Sequence, residues 1–258
     1  MNLSDIKSIG ILGAGVMGGG IAQCAIQAGQ TVIIRDLSDE ILENTKDTIL
    51  NARFGFNNAV KMGKMTQDEL DKAMSLLSYT TDVNDLKDCD LIIEAIGGGA
   101  DGAIENKPLK LKVWEEMDGV VKPEAIFASN TSMFTIADLA AVTNRKDRFI
   151  GMHLFSPANI MKLVEVTSTG ETDKAVEDLI VEISESWGKT PIRLKDVPGD
   201  TGFIGNRIMA AVRKEAMKLI EEGVGTAEDV NTAMTLGFRW PAGPFTQARP
   251  LPQRQYPC

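Results

Sequence analysis

The segment GAGVMG, with glycines at 13, 15 and 18, lies between a short apolar run, SIGIL, and the stretch GGIAQCAIQAG. Glycines at this spacing allow a tight turn, a close approach of backbone to a bulky anion, and close packing of the next helix on a sheet. A second apolar run, TVII, follows and leads into Arg35 and Asp36. Strand, glycine turn, helix and strand make the opening β-α-β unit of a doubly wound parallel sheet, so an α/β Rossmann-type fold is expected. Free N–H groups at the helix start suit a pyrophosphate, with Gly13, Gly15, Val16, Met17 and Gly18 as its contacts. Asp36, about 20 residues beyond the loop, is placed to accept ribose hydroxyls and to repel a 2′-phosphate, which favours NAD over NADP. The adjacent Arg35 leaves that choice partly open.

Downstream, Ser38 caps a helix expected from 38 to about 61, with Asp39 and Glu40 in its first turn. Thr66 caps a second, to about 77, and the two form a helical hairpin inserted at about 38–77. Strands are expected in DLIIEAI, AIFASNT and FIGMHLF, with helices between them, one at 109–117. LVEVTST and TPIRLK complete a mixed sheet around a helix at 173–187, whose Val176, Leu179, Ile180 and Ile183 share one face. The cofactor-binding domain thus occupies 1–195. From 196 to 258 the character is helical, at 203–222 and 226–236, and the stretch 246–258 is irregular and proline-containing.

Composition excludes several functions. A formal net charge of −9 argues against nucleic acid or an anionic membrane as the main partner. No run approaches the ~20 apolar residues that span a bilayer, and the N-terminal stretch lacks a basic segment followed by a long apolar one, so a cytoplasmic protein is expected. Cys24, Cys89 and Cys258 have no paired spacing, and a single histidine, His153, rules out a multi-histidine metal site. No metal is expected, and any imidazole chemistry falls to His153.

Three segments remain: ASNTS at 128–132, GMHLFSPANIMKLVEV at 151–166 and GFIGNR at 202–207. In this order, behind the glycine loop, they resemble the 3-hydroxyacyl-CoA dehydrogenase family over about 7–245. The resemblance implies NAD-dependent oxidation of a 3-hydroxyacyl-CoA in fatty-acid or butyrate metabolism, by a homodimer. It places the catalytic serine on Ser132, the base on His153, the orienting glutamate on Glu165 and the asparagine on Asn206. A neutral imidazole with a pKa of ~6.5 suits proton removal near neutrality. Glu165, 12 positions on, could fix its tautomer. Ser132 and Asn206 would direct hydrogen bonds at the reacting oxygen and thioester carbonyl. The resemblance also implies NAD contacts for Glu105, Lys110, Ser132 and Ser156; Lys61 and Lys64, at the hairpin tip, are candidates for CoA phosphates, with solvated lysines as the alternative.

The chain departs from the family at points near these residues. Gly97 to Ala103 form an added glycine-rich loop, Ser156 stands where the family has asparagine, and Asp200 to Gly202 separate a Pro-Gly turn from Phe203. After LGFRWPAGPF the sequence no longer follows the family, so the helical domain is expected to be truncated or atypical. Two alternatives stay open: a protein that binds NAD or acyl-CoA with little turnover, and a dehydrogenase of another β-hydroxy acid, whose relatives have a lysine-centred site.

Overall fold

A computed structural model of the chain describes residues 2–98, 105–197 and 203–246. The chain divides into two compact units, Met1–Thr201 and Gly202–Cys258.

The first unit opens with β1 (Ser8–Leu12), α1 (Val16–Gln27) and β2 (Thr31–Arg35), as the periodicity predicts. It continues through α2 (Asp39–Asn51), α3 (Phe56–Lys61), α4 (Gln67–Ser75), β3 (Leu77–Thr80), β4 (Leu91–Glu94), α5 (Lys107–Val120), β5 (Ile126–Ser129) and α6 (Ile136–Ala140). The last elements are β6 (Phe149–Leu154), β7 (Leu163–Ser168), α7 (Lys174–Ser186) and β8 (Thr190–Lys195). One eight-stranded sheet runs in the order β3-β2-β1-β4-β5-β6-β7-β8. Every neighbouring pair is parallel except β6 and β7. The central strands have no solvated face, and their runs of Ile, Leu, Val and Phe are accordingly buried throughout.

Two details differ from the sequence reading. The helix expected from 38 to 61 breaks between α2 and α3, because the chain folds back on itself at Gly55. A Cβ there would lie 2.6 Å from the Leu50 carbonyl oxygen, and only glycine fits. The residues directly after α4 form the edge strand β3 on β2, which four residues of mixed polarity did not announce. The capped start at Thr66 is observed, with Thr66 and Glu69 in a reciprocal capping box.

Behind the sheet, Trp114 of α5 packs on Phe127 and Phe149 with ring centroids 4.8 Å apart in both pairs. Arg145 lies over Phe127 and ties off the end of α5, donating to Asp118, Val121 and Lys122 carbonyls and to the Asp118 carboxylate.

The second unit holds α8 (Ile204–Glu221) and α9 (Ala227–Thr232), and α9 continues as a wider π turn over Ala233–Gly237 rather than as α-helix to 236. Among the described residues no helix is long and apolar enough to cross a membrane. Of the segments singled out as departures, 99–103 of the glycine-rich loop, Asp200 to Gly202, and the stretch from 247 onward lie outside the described residues.

Candidate active site

The glycine loop has the shape that its sequence predicts. Gly13 adopts φ +98°, and its N–H donates to the Arg35 carbonyl at 2.9 Å, tying the turn to β2. A Cβ on Gly18 would fall 1.8 Å from the Gly13 carbonyl oxygen, so helix and loop meet there at backbone distance. Gly15 is different, because nothing lies within 4 Å of the place its Cβ would take. The loop is closed where it packs and open where α1 begins, which is the form a phosphate needs to reach the helix N–H groups. Val16 and Met17 lie in that first turn.

Asp36 is pre-oriented beside the loop: Oδ2 accepts from the Ala14 N–H and Oδ1 from the Leu37 N–H, each at 2.6 Å. Each oxygen keeps further acceptor capacity for a hydroxyl. A cavity of about 390 Å³ adjoins it, lined by Gly13, Gly15, Asp36, Ile41 and Leu109 among others. Mostly apolar walls, with the Asp36 carboxylate and Arg35 as the charged groups, suit a flat base and its ribose. Thr45, missed in the sequence because it lies mid-helix, donates its buried hydroxyl to the Ala14 carbonyl and braces the loop from α2.

Three strands away, His153 and Glu165 are register partners across the one antiparallel step of the sheet. His153 Nδ1 and Glu165 Oε2 are 2.7 Å apart, and the two residues are 5% and 0% exposed. A carboxylate only accepts, so Nδ1 carries the proton and Nε2 is the basic nitrogen. The Phe155 ring packs against the imidazole at 4.6 Å. Asn130, which the sequence reading did not single out, accepts from the Leu154 N–H at 2.8 Å and so joins the end of β5 to the strand that bears the histidine.

Ser132 follows β5 and is held by Glu105, whose Oε1 accepts from both the N–H and the hydroxyl of Ser132 at 2.7 Å. Thr131 donates to the other oxygen at 2.6 Å. Burial pushes the Glu105 carboxyl up, but the Lys110 ammonium and the Thr131 and Ser132 hydrogen bonds outweigh it and hold it below its ordinary value. Lys110 is 2% exposed and is bound by Glu94 and Glu105. Its ammonium is therefore placed beneath Glu105, as a support, and not at a surface where a ligand would first meet it.

The other expected residues belong to other elements or loops. Ser156 is exposed and precedes a cis proline, Pro157. Lys61 ends α3 and Lys64 lies in the turn after it, both exposed. Asn206 is exposed in the first turn of α8, in the second unit. Among the described residues no group of side chains is arranged to hold a metal ion.

Comparison with known proteins matches this chain to the model of the 3-hydroxyacyl-CoA dehydrogenase NAD-binding domain over residues 8–197 and to that of the family's C-terminal domain over 202–250. The C-terminal domain is thus present, and the truncation expected from the sequence is a minor departure. Over 239 residues the chain is 38% identical to a probable 3-hydroxybutyryl-CoA dehydrogenase of Deinococcus radiodurans, covering 93% of this chain and 81% of that protein. It is 37% identical to the mitochondrial hydroxyacyl-coenzyme A dehydrogenase of Rattus norvegicus, with 93% and 74% covered. The crystal structure of an (S)-3-hydroxybutyryl-CoA dehydrogenase from Ralstonia eutropha superposes with a TM-score of 0.85 at 37% identity, covering 93% of this chain and 80% of that one.

Proposed function

The chain belongs to the 3-hydroxyacyl-CoA dehydrogenase family, and from that premise we propose how its own residues carry the reaction. The protein is an NAD-dependent oxidoreductase that converts the 3-hydroxyl of a 3-hydroxyacyl-CoA to a 3-keto group. NAD, when bound, supplies the acceptor for the hydride that leaves C3.

His153 is the base. Its Nε2 takes the 3-hydroxyl proton, while Glu165 holds the ring by Nδ1 and stabilises the imidazolium that results. The buried His153–Glu165 pair is the observation that carries this reading. Both residues are buried, so the carboxylate acts on the imidazole through little screening. Ser132, fixed by Glu105, positions the reacting oxygen or the cofactor's reacting end. Gly13, Gly15, Val16, Met17 and Gly18 cradle the pyrophosphate, Asp36 takes the ribose, and Ser156 follows two residues after the strand that carries His153. Lys61 and Lys64 offer exposed cations to CoA phosphates. The role carried to Asn206 rests on the GFIGNR motif.

The domain division we adopt is a cofactor domain to residue 195 and a helical domain beyond it. Half-exposed Ile204, Ile208 and Met217 on α8 offer apolar area that a second copy would cover in a homodimer. A cytoplasmic place in fatty-acid or butyrate metabolism accords with the bacterial 3-hydroxybutyryl-CoA dehydrogenases among its relatives.

The test is NADH formation from NAD and 3-hydroxybutyryl-CoA by the purified protein beside His153→Ala. Turnover that the variant loses supports the assignment. Turnover that survives it sinks His153 as the base, and NAD binding without any turnover favours a binding role.

A further inference from the structure

Glu94, the last residue of β4, is fully buried although its side chain is a carboxyl group. Its Oε1 accepts from the Ile96 N–H at 2.7 Å and from the Lys110 ammonium, and its Oε2 accepts from the Ser129 hydroxyl at 2.6 Å. Lys110 reaches onward to Glu105 Oε2 at 3.2 Å. Glu105 holds Thr131 and Ser132, and the Thr131 N–H returns to the Ser129 hydroxyl at 3.2 Å. The circuit closes on itself. An ammonium and a backbone N–H can only donate, and each Glu105 oxygen faces one of them, the arrangement of an ionised carboxylate. Glu94 presents Oε1 to the same kinds of donor and Oε2 to the Ser129 hydroxyl. Counted at their formal charges, two carboxylates and one ammonium leave one surplus negative charge, in a place where screening by solvent is weak.

Where that charge lies matters. Along the carboxyl edge of the sheet the order β2, β1, β4, β5, β6 sets out Asp36, the glycine loop, this circuit, Ser132 and His153 in turn. A dinucleotide with its adenosine at Asp36 and its reacting end at His153 has to pass over the circuit. Its nicotinamide ring is positively charged when oxidised and neutral when reduced. A fixed negative charge therefore treats the two forms differently, where a neutral wall of the same shape would not.

We propose that the Glu94–Lys110–Glu105 circuit is a determinant of cofactor redox form, favouring oxidised over reduced NAD through its surplus negative charge. The inference rests on the functional reading above, which brings the cofactor's reacting end to His153. Glu94 and Lys110 act as positioning residues, holding Glu105 and the charge in place.

The experiment measures Kd for NAD and for NADH separately, by calorimetry at mildly alkaline pH, on the wild type, Glu105→Gln, Glu94→Gln and Lys110→Met. The glutamine variants make the circuit formally neutral, and Lys110→Met doubles its negative charge. The ratio Kd(NADH)/Kd(NAD) should fall on the order of tenfold in the glutamine variants and rise by a similar factor in Lys110→Met. Damage to the fold would weaken both forms together and lower the melting temperature, so the ratio is read on variants that melt as the wild type does. Glu105→Gln and Lys110→Met carry the test alone should the deeper Glu94→Gln not fold. A ratio that is constant, or that moves the same way in Glu105→Gln and Lys110→Met, overturns the proposal while leaving the functional reading intact. A wild type that binds neither form overturns both.

Discussion

His153 and Glu165 face each other as direct partners in the β6–β7 ladder, Nδ1 to Oε2 at 2.7 Å, so the proposed base and the group proposed to orient it are aligned by backbone pairing. Side chains of directly opposed residues project on the same face of a sheet, and no loop geometry has to be maintained for the two to meet.

Glu165→Gln keeps the shape but removes the charge, and its amide can stabilise the wrong imidazole tautomer. We expect kcat to fall by about 10²–10⁴ with substrate KM little changed. The double variant with His153→Ala should be no slower than His153→Ala alone, since the pair works as a unit. Steady-state kinetics on the variants check this, and a further drop in the double variant would separate their roles.

The glycines of the loop should fail in different ways. Gly18→Ala has no room and should lower Tm as well as abolish NAD binding. Gly15→Ala has space for its methyl and should fold normally, yet lose NAD affinity because the methyl stands where the phosphates approach. Thermal unfolding and an NAD titration of both proteins distinguish these outcomes.

Arg145 is 6% exposed and satisfies carbonyls at the end of α5 together with the Asp118 carboxylate. Arg145→Met leaves that carboxylate and those carbonyls without their partner and should cost about 3–5 kcal/mol in chemical denaturation. Turnover well below the lowered Tm should be unaffected, since none of these groups lies at the carboxyl edge of the sheet.

Acid should destabilise the fold. Burial pushes Asp90, Glu105 and Asp118 up, but Lys122 and the Ser8 N–H at Asp90, Lys110 with Thr131 and Ser132 at Glu105, and Asn144 with Arg145 at Asp118 outweigh it. All three carboxyls end below their ordinary values of 3.8 for aspartate and 4.5 for glutamate. The native state therefore binds fewer protons than the unfolded chain in the acid range. The stabilisation is fully present above those ordinary values and is lost as pH falls through the lowered ones. The urea midpoint should drop across that window, and a midpoint that rose on acidification would contradict the assignment.

The thiols of Cys24 and Cys89 should be inert. Burial pushes Cys89 up to about 11 and raises Cys24 as well, so neither supplies much thiolate near neutrality. Native protein should leave both unlabelled by an alkylating agent under conditions that modify them fully in urea, as peptide mass mapping would record.

The first β-α-β unit and Asp36 were legible in the sequence because glycine spacing and strand alternation are local signals. His153 was legible as the chain's one imidazole, and Glu165 through the motif. Other parts of the site depend on contacts that no local pattern carries. Lys110 was singled out by the resemblance, as an NAD contact, and by no local pattern; only the fold shows that it is buried between Glu94 and Glu105. Glu94 did leave a trace, as a lone charge closing the apolar run LII, though its meaning lies in Ser129 and Lys110 from other elements. The break before Phe56 and the edge strand at Leu77 escaped because a tight backbone approach and a short sheet edge are decided by tertiary packing.

The strand order lays out recognition and chemistry at a distance. Asp36 lies beyond β2, while His153 is on β6, with β1, β4 and β5 between them. At about 4.8 Å per strand the two ends are on the order of 19 Å apart. On the proposed assignment, cofactor choice can thus be re-engineered at the Asp36 end with little effect on the proton-transfer machinery, and an evolving lineage could exchange one cofactor for another without rebuilding its base.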